Sequence, residues 1–270
     1  MSVDFERRFG GLRRLYGTLG AEAVFKAHVM VVGIGGVGSW VAEALARSGV
    51  SQLTLIDMDH VSESNINRQI HALEPTLGRS KALAMRDRIA LFHPTCQVNV
   101  VDDFVTPDNW LALLNAAGGA PTVLVDACDQ VKAKTAMAAW AQREHVQFVT
   151  VGAAGGKRMP NAVEVADLAA VTHDPLLAQL RYRLRKHHMG ARVGPMGTIC
   201  VFSREAVAPP DASCGMDSGD GSLNCHGYGS VVSVTATFGM CAAGWAVNVI
   251  ARSAQAFDTK EKKREKDAII

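Results

Sequence analysis

The sequence predicts an α/β fold: a doubly wound sheet, mostly parallel in its N-terminal half and extended by further strands and helices in its C-terminal half. Three observations carry that expectation. Between residues 29 and 151, short apolar runs of strand length alternate with longer stretches at helical spacing, the pattern of consecutive βα units on a parallel sheet. The loop after the first apolar run holds Gly33, Gly35, Gly36 and Gly38 in G-x-G-G-x-G order. The next apolar run ends on Asp57, an acid about 20 residues past the glycines, as in Rossmann-like β–turn–α–β units. Glycines let a backbone approach a phosphate, and a helix N-terminus presents free N–H groups to it. An acid at the second strand tip can take two ribose hydroxyls. The unit predicts a nucleotide without saying which one.

Each element has a local reason. Residues 29–32 are an apolar strand. Residues 39–47 follow as a helix rich in Ala, Val and Leu that Gly49 ends, and 53–56 are the second strand. The polar stretch 58–73 has neither period and reads as a loop. Residues 76–92 place Leu77, Ala84, Met85, Ile89 and Phe92 on one side of a helix. Residues 98–101 are a short strand. A helix over 107–117 has Pro107 in its first turn and Thr106 as its cap. A strand over 122–125 leads to Asp126, a helix covers 131–145, and a strand covers 148–151.

After Gly152 the alternation weakens. A strand over 162–165, a helix over 175–187 and a strand over 198–202 are expected. Residues 208–230, rich in Pro, Gly, Ser and Cys, read as an irregular loop. Residues 228–251 carry no charge and have the length of a bilayer span. Their Gly, Ala, Ser and Thr content instead favours a strand-like VVSVT piece running into a buried small-residue helix, so membrane association is disfavoured. The charged segment 258–270 has no apolar stripe and is expected to be solvated and partly frayed. Residues 2–20 form an amphipathic helical lead-in with Arg7, Arg8, Arg13 and Arg14 close together. They are either a solvated face or an arm that carries an arginine to a phosphate site. No linker divides the chain. One domain spans 1–270, with a nucleotide-binding half (1–152), a substrate half (153–252) and a charged tail (253–270).

The chain has 270 residues, 48% of them hydrophobic and 20% charged, with a net charge of +2. That is an ordinary globular composition, and any case for nucleic acid must rest on a local patch. The N-terminus has no apolar targeting segment, which implies a cytoplasmic, reducing setting and free thiols. No two of the six cysteines stand at C-x-x-C spacing, which argues against structural zinc.

The glycine turn would also suit a nicotinamide dehydrogenase. Asp57, Asp59, Ser64, Asn65, Arg68 and Gln69 then cluster just past the second strand tip. Lys81 starts a helix, and Asp126 and Asp129 lie at a later strand tip. In a parallel sheet these tips share one crevice. It would hold an acid for ribose, two cations for phosphates and an acid for Mg²⁺, which needs only one or two carboxylates beside phosphate oxygens. Such a set suits a reacting triphosphate, whose charge shifts toward the leaving group.

These residues resemble the ubiquitin-activating E1-like superfamily. The resemblance is carried by G-x-G-G-x-G-S at 33–39, D-x-D-x-V-x-x-S-N-x-N-R-Q at 57–69, Lys81, and D-x-x-D at 126–129. It implies ATP- and Mg²⁺-dependent adenylation of a carboxylate. Asp57 would hold the ribose, while Asn65, Arg68 and Lys81 bind the triphosphate. Arg68 and Lys81 would act on the charge displaced to pyrophosphate, and Asp129 on the metal. It also implies a homodimer, and several members of the superfamily lend an N-terminal arginine across the interface. The matching position is Gly11, with Arg8, Arg13 and Arg14 nearby.

Superfamily members that activate sulfur-carrier proteins usually have two C-x-x-C pairs, absent here. The stretches NRQIHAL, VDDFVTPDN, DPLLAQLRYRL and VFSREA instead resemble the tRNA threonylcarbamoyladenosine dehydratase branch. This implies adenylation of N6-threonylcarbamoyladenosine at tRNA position 37, then ring closure with loss of water. The partner would be tRNA carrying that group.

A separate feature agrees with RNA. No acid lies between Asp174 and Glu205, while Arg181, Arg183, Arg185, Lys186, Arg192 and Arg204 do, a basic patch suited to phosphate contact. Tyr182 offers a stacking face. Cys225, and more weakly Cys214, are candidate reactive thiols that would link the chain to a cysteine desulfurase and sulfur-acceptor system. Four readings therefore compete: a tRNA-modifying enzyme, an activator of a sulfur-carrier protein, a dehydrogenase and a sulfur-trafficking scaffold. Arg68, Lys81 and Asp129 weigh against the last two.

Overall fold

The computed structural model describes residues 4–211 and 228–267. The parallel strands are β1 (His28–Val32), β2 (Gln52–Ile56), β3 (Gln97–Val101), β4 (Val123–Asp126) and β5 (Gln147–Val151). They are joined by α3 (Gly38–Arg47), α4 (Lys81–Phe92), α5 (Trp110–Ala116) and α6 (Val131–Arg143), after the leading helices α1 (Phe5–Phe9) and α2 (Gly11–Lys26). The C-terminal half adds β6 (Val163–Asp167), α7 (Pro175–His187), β7 (Ile199–Ser203) and the long helix α8 (Val232–Asp267). Strand order is β3-β2-β1-β4-β5-β7-β6, with only β6 antiparallel among the pairings. The chain reverses its winding between β1 and β4, and ligands of such sheets bind in the crevice outside the strand C-termini at that point.

Both sheet faces are covered. One core holds the inward residues of β1 and β2 against α3, α4 and α8. The other packs α5, α6 and α7 on the opposite face. Burial of β1, β2, β4 and β5 on both faces explains why their residues are mostly Val, Leu, Ile and Met, with Thr54, Asp126 and Thr150 as the buried polar exceptions.

Several expectations shift. The 76–92 helix begins only at Lys81, because Gly78 takes a positive φ and Ser80 caps the helix through the Leu83 N–H. The 107–117 helix begins at Trp110. Thr106 and Asn109 exchange side-chain and backbone hydrogen bonds ahead of it, making a turn in place of a cap. The lead-in continues to Lys26 and breaks at Gly17, whose φ is 70°. The VVSVT piece is not a strand. Val232 starts α8, which buries Val234 and holds the Thr235 hydroxyl 3.5 Å from the Arg68 carbonyl. Here tertiary packing overrides β propensity. The charged tail stays helical through Asp267, in keeping with the helix preference of Lys, Glu and Arg.

Residues Val232–Asp258 are apolar and long enough to cross a bilayer. They are instead a core helix packed along α2 and α3. Gly239 shows why small residues line it: a Cβ there would lie 2.7 Å from both Trp40 Cβ and the Val37 carbonyl oxygen.

Candidate active site

The glycine turn joins β1 to α3. Gly33 has φ 86° and no space for a Cβ, which would lie 2.9 Å from the Ala127 backbone. A Cβ on Gly38 would overlap the Gly33 carbonyl oxygen. Gly36 packs on the Arg68 stem and Thr235. Gly35 differs from all three. A Cβ there would meet no protein atom within 4 Å, so its space opens to the crevice. The N-terminus of α3 has no side-chain cap, and the buried Ser39 hydroxyl has no partner among the described residues. Open space, uncapped N–H groups and an orphaned hydroxyl together form an anion seat.

Asp57 stands beside it, buried. One carboxylate oxygen accepts the Ile34 N–H at 2.6 Å and the other the Asp59 N–H at 2.8 Å. Burial pushes its pKa above the ordinary carboxylate value, against the pull of Lys81 and the two N–H donors. Asp59 does not face a ligand alone: its carboxylate pairs with Lys81 Nζ at 2.7 Å. The backbone enforces that contact. The Lys81 N–H donates to Asp59 O, the Val61 N–H to Arg79 O and the Gly78 N–H to Val61 O. A chain of contacts thus runs from the glycine turn through Asp57 and Asp59 to the Lys81 ammonium.

Arg68 is buried, and its Nη1 donates to Ser64 O at 2.5 Å and Asn67 Oδ1 at 2.9 Å. Its carbonyl accepts the Trp40 indole N–H at 2.9 Å, which ties the loop to α3. Arg68 Nε and Gln69 Oε1 are buried without partners among the described residues. Asn65 is buried and accepts the Ser62 N–H at 3.1 Å through Oδ1. Ser64 is exposed and pairs with Ser62.

Asp126 does not belong to the crevice lining. It is level with Val32 in the sheet and fully buried. Oδ2 accepts from Lys134 Nζ at 3.0 Å and from the Thr150 hydroxyl at 2.6 Å, while Oδ1 accepts from the Cys128 N–H and thiol. Lys134 also donates to Val151 O. Burial works against the Lys134 charge, but the Asp126 carboxylate overcomes it and the pKa stands above the ordinary lysine value. Asp126 is therefore an anchor for the β4 tip. Asp129, three residues on, is exposed and has no hydrogen bond or ion pair among the described residues.

The basic segment is divided in role and lies away from the crevice. Arg181 Nη1 donates to the Leu168 and Val171 carbonyls, Arg185 Nε to Ala191 O, and Arg204 pairs with Glu164. These three hold loops and a strand. Arg183, Lys186 and Arg192 keep their charges uncommitted among the described residues. In the N-terminal arm, Arg13 pairs with Glu6 and Glu22, Arg8 donates to Phe92 O, and Arg14 is exposed. Cys225 and Cys214 lie outside the described residues. The remaining thiols, Cys96, Cys128, Cys200 and Cys241, are free, and burial raises the pKa of each.

A model of the ThiF family matches residues 9–265. The chain belongs to the ThiF family. It is 44% identical to the tRNA threonylcarbamoyladenosine dehydratase of Escherichia coli strain K12, over 92% of this chain and 94% of that one. It is 40% identical to the Haemophilus influenzae protein of the same name, over 88% and 91%. The crystal structure of the E. coli dehydratase in complex with ATP aligns with a TM-score of 0.83 at 42% identity, covering 94% of this chain and 98% of that one. The molybdopterin-synthase adenylyltransferase of Salmonella typhimurium matches less, at 34% over 48% of this chain. The E1-like expectation holds, and among ThiF-family proteins the likeness runs to the dehydratases.

Sequence reasoning missed three residues that support or adjoin this site. Trp40 and Lys134 sit in helices where nothing in the pattern marks them. His71 lies within the quoted NRQIHAL stretch, yet had no role assigned. Its ring is buried beside the site, neither nitrogen has a partner among the described residues, and its pKa is pushed down to about 4, by burial first and then by Lys81 and Arg88.

Proposed function

We propose that this chain is an ATP-dependent tRNA-modifying enzyme that adenylates the carboxylate of N6-threonylcarbamoyladenosine at tRNA position 37 and drives its cyclisation. The likeness to the dehydratases along nearly the whole of both chains carries this reading. In the first step a carboxylate oxygen attacks the α-phosphorus of ATP and pyrophosphate leaves. In the second a neighbouring nucleophilic atom of the same modification attacks the acyl carbon, loses its proton and expels AMP. The elements of water end up in AMP and pyrophosphate, so the nucleoside loses one water. No enzyme thioester is needed.

The residues take the following parts in this reading. The seat at Gly35 and the α3 N-terminus receive phosphate, and Asp57 receives the ribose. Arg68 and Lys81 stabilise charge displaced onto the leaving pyrophosphate. Lys81 is held for that task by Asp59, and the unpartnered Arg68 Nε and Gln69 Oε1 suit a ligand that completes them. Mg²⁺ fits Asp129, an exposed single carboxylate of the kind that shares the ion with phosphate oxygens, where it would neutralise phosphate charge. The enzyme is a homodimer in this reading. Leu15 and Leu19 on α2 and Phe257 on α8 are exposed apolar groups suited to a second copy, with light scattering as the check.

The test is incubation with ATP, Mg²⁺ and threonylcarbamoyl-modified tRNA, followed by mass analysis of the nucleoside. Loss of one water is expected, and an unchanged nucleoside overturns the proposal. A sulfur-acceptor role would rest on Cys225. Full activity of Cys225→Ser is the expected outcome here.

A further inference from the structure

The C-terminal end of α7 forms a basic groove at the edge of the sheet opposite the nucleotide crevice. Gln179, Tyr182, Arg183, Lys186 and His187 line a cleft of about 390 Å³. Tyr182 is 61% exposed, and Lys186 Nζ lies 5.5 Å from the centre of its ring. The ammonium lies over one face of the ring. The Arg185 contact with Ala191 O and the Gly190 N–H donated to Leu184 O fold the following loop against the helix. This keeps the exposed Arg192 at the same end. Asp167, which meets the end of that loop, accepts the Met196 and Gly197 N–H groups.

Position decides what the groove can touch. α7 starts at the C-terminal edge of the sheet, where Asp174 accepts the Ala153 N–H just past β5. It then descends through 13 residues, about 18 Å at helical rise. Strand β5 is two places from β1, about 10 Å across the sheet. The middle of the groove, at Arg183, is about 12 Å down the helix and so roughly 15 Å from the crevice, too far for a nucleoside bound there to reach. A double-stranded stem attached to that nucleoside can reach it, and such stems are read through phosphates and shape.

We propose that this groove grips the phosphate backbone of the tRNA stem, with Arg183 and Lys186 as the phosphate contacts and the Tyr182 hydroxyl as a further donor. The inference rests on tRNA being the substrate, but binding is measured apart from turnover, so the two can fail separately. The probe is full-length tRNA titrated in 50 to 200 mM salt against wild type, Arg183→Gln/Lys186→Gln, and Lys186→Gln alone, since Arg183 is half-buried. Each lost phosphate contact removes about 0.9 from the slope of log affinity against log salt. Over that fourfold salt range the double variant should lose roughly twelvefold less affinity than wild type, and the single variant about 3.5-fold less. Affinity for ATP and the thermal midpoint should stay unchanged. The pair Lys26→Gln/Arg86→Gln, with the same loss of charge elsewhere, should keep the wild-type slope. A groove variant with the wild-type slope overturns the proposal, as does a control pair that changes it equally. Unchanged tRNA affinity with groove-dependent binding to vesicles of anionic phospholipid would assign the groove to a membrane surface and overturn it too. Failure to dehydrate the modified tRNA with groove-dependent tRNA binding intact would sink the proposed reaction and leave the groove standing.

Discussion

A single methyl group separates two kinds of glycine in the turn. At Gly38 it would overlap the Gly33 carbonyl oxygen and lie 2.9 Å from that carbonyl carbon, so the turn must shift against backbone. Overpacking of that kind costs about 1–3 kcal/mol or more. At Gly35 the methyl meets no protein atom within 4 Å and the residue has no positive φ. Gly35→Ala should then leave the fold as stable as before, or steadier by about 0.4–1 kcal/mol through the unfolded chain. In the proposed site its cost falls on the ligand, because the methyl would occupy the space assigned to phosphate. ATP at one hundred times its Kd stabilises a protein by about 2.7 kcal/mol. With an unfolding entropy of roughly 2.1 cal/mol/K per residue, that raises the midpoint of a chain this size by about 5 °C. A hundredfold weaker Kd leaves about 0.4 kcal/mol, under ~1 °C. Thermal scans with and without ATP read both quantities. Gly35→Ala should lose the ATP shift at a normal midpoint, and Gly38→Ala should lose midpoint before any ligand is added. A Gly35→Ala protein with the full ATP shift would refute the assignment of that space to phosphate.

Arg68→Ala, Lys81→Ala and Asp129→Ala should each lower turnover by about 10²–10³ with ordinary far-UV circular dichroism; turnover within twofold of wild type would remove that residue from the chemistry. Asp59→Asn should raise KM for ATP with little loss of stability, since its carboxylate is half-exposed. Combined with Lys81→Ala it should add nothing further, and additive losses would give Asp59 a separate role. Lys134→Met strands the buried Asp126 carboxylate and should cost about 3–5 kcal/mol in denaturant titrations. A loss below ~1 kcal/mol would contradict the anchor role. His71 has its folded pKa lowered from 6.5 to about 4, so the unfolded chain takes up the proton first as pH falls. That contribution is absent above pH ~7 and should cost about 2.5 kcal/mol by pH ~4.5. His71→Phe should flatten the stability profile between those limits, and an unchanged profile would show that the ring is solvated.

The local sequence determined the N-terminal half almost element by element. A fully buried parallel strand needs a continuous apolar run, and a tight βα turn needs glycine, so β1, β2, β4 and β5 and the turn at Gly33–Gly38 were legible without neighbours. The polar cluster from Asp57 to Lys81 was legible as a set, because those residue types at strand tips must share a crevice in a doubly wound sheet. Which members face a ligand was not legible. Asp126 and Asp129 belong to one D-x-x-D motif, yet the first turns inward to Lys134 and the second stays in solvent. That division depends on which residue of α6 lies over β4. Asp59 and Lys81 are separated by a loop whose backbone ladder alone brings them to 2.7 Å. The basic segment was visible as charge, but only packing showed that Arg181, Arg185 and Arg204 are spent on carbonyls and on Glu164. The direction of α7 then placed the uncommitted charges at the far edge. The β-branched start of α8 went the same way: local preference favoured a strand, and the buried face it shares with α2 and α3 decided for a helix. Periodicity reports how one segment meets the core. Partners that come from distant segments are set only when the sheet is assembled.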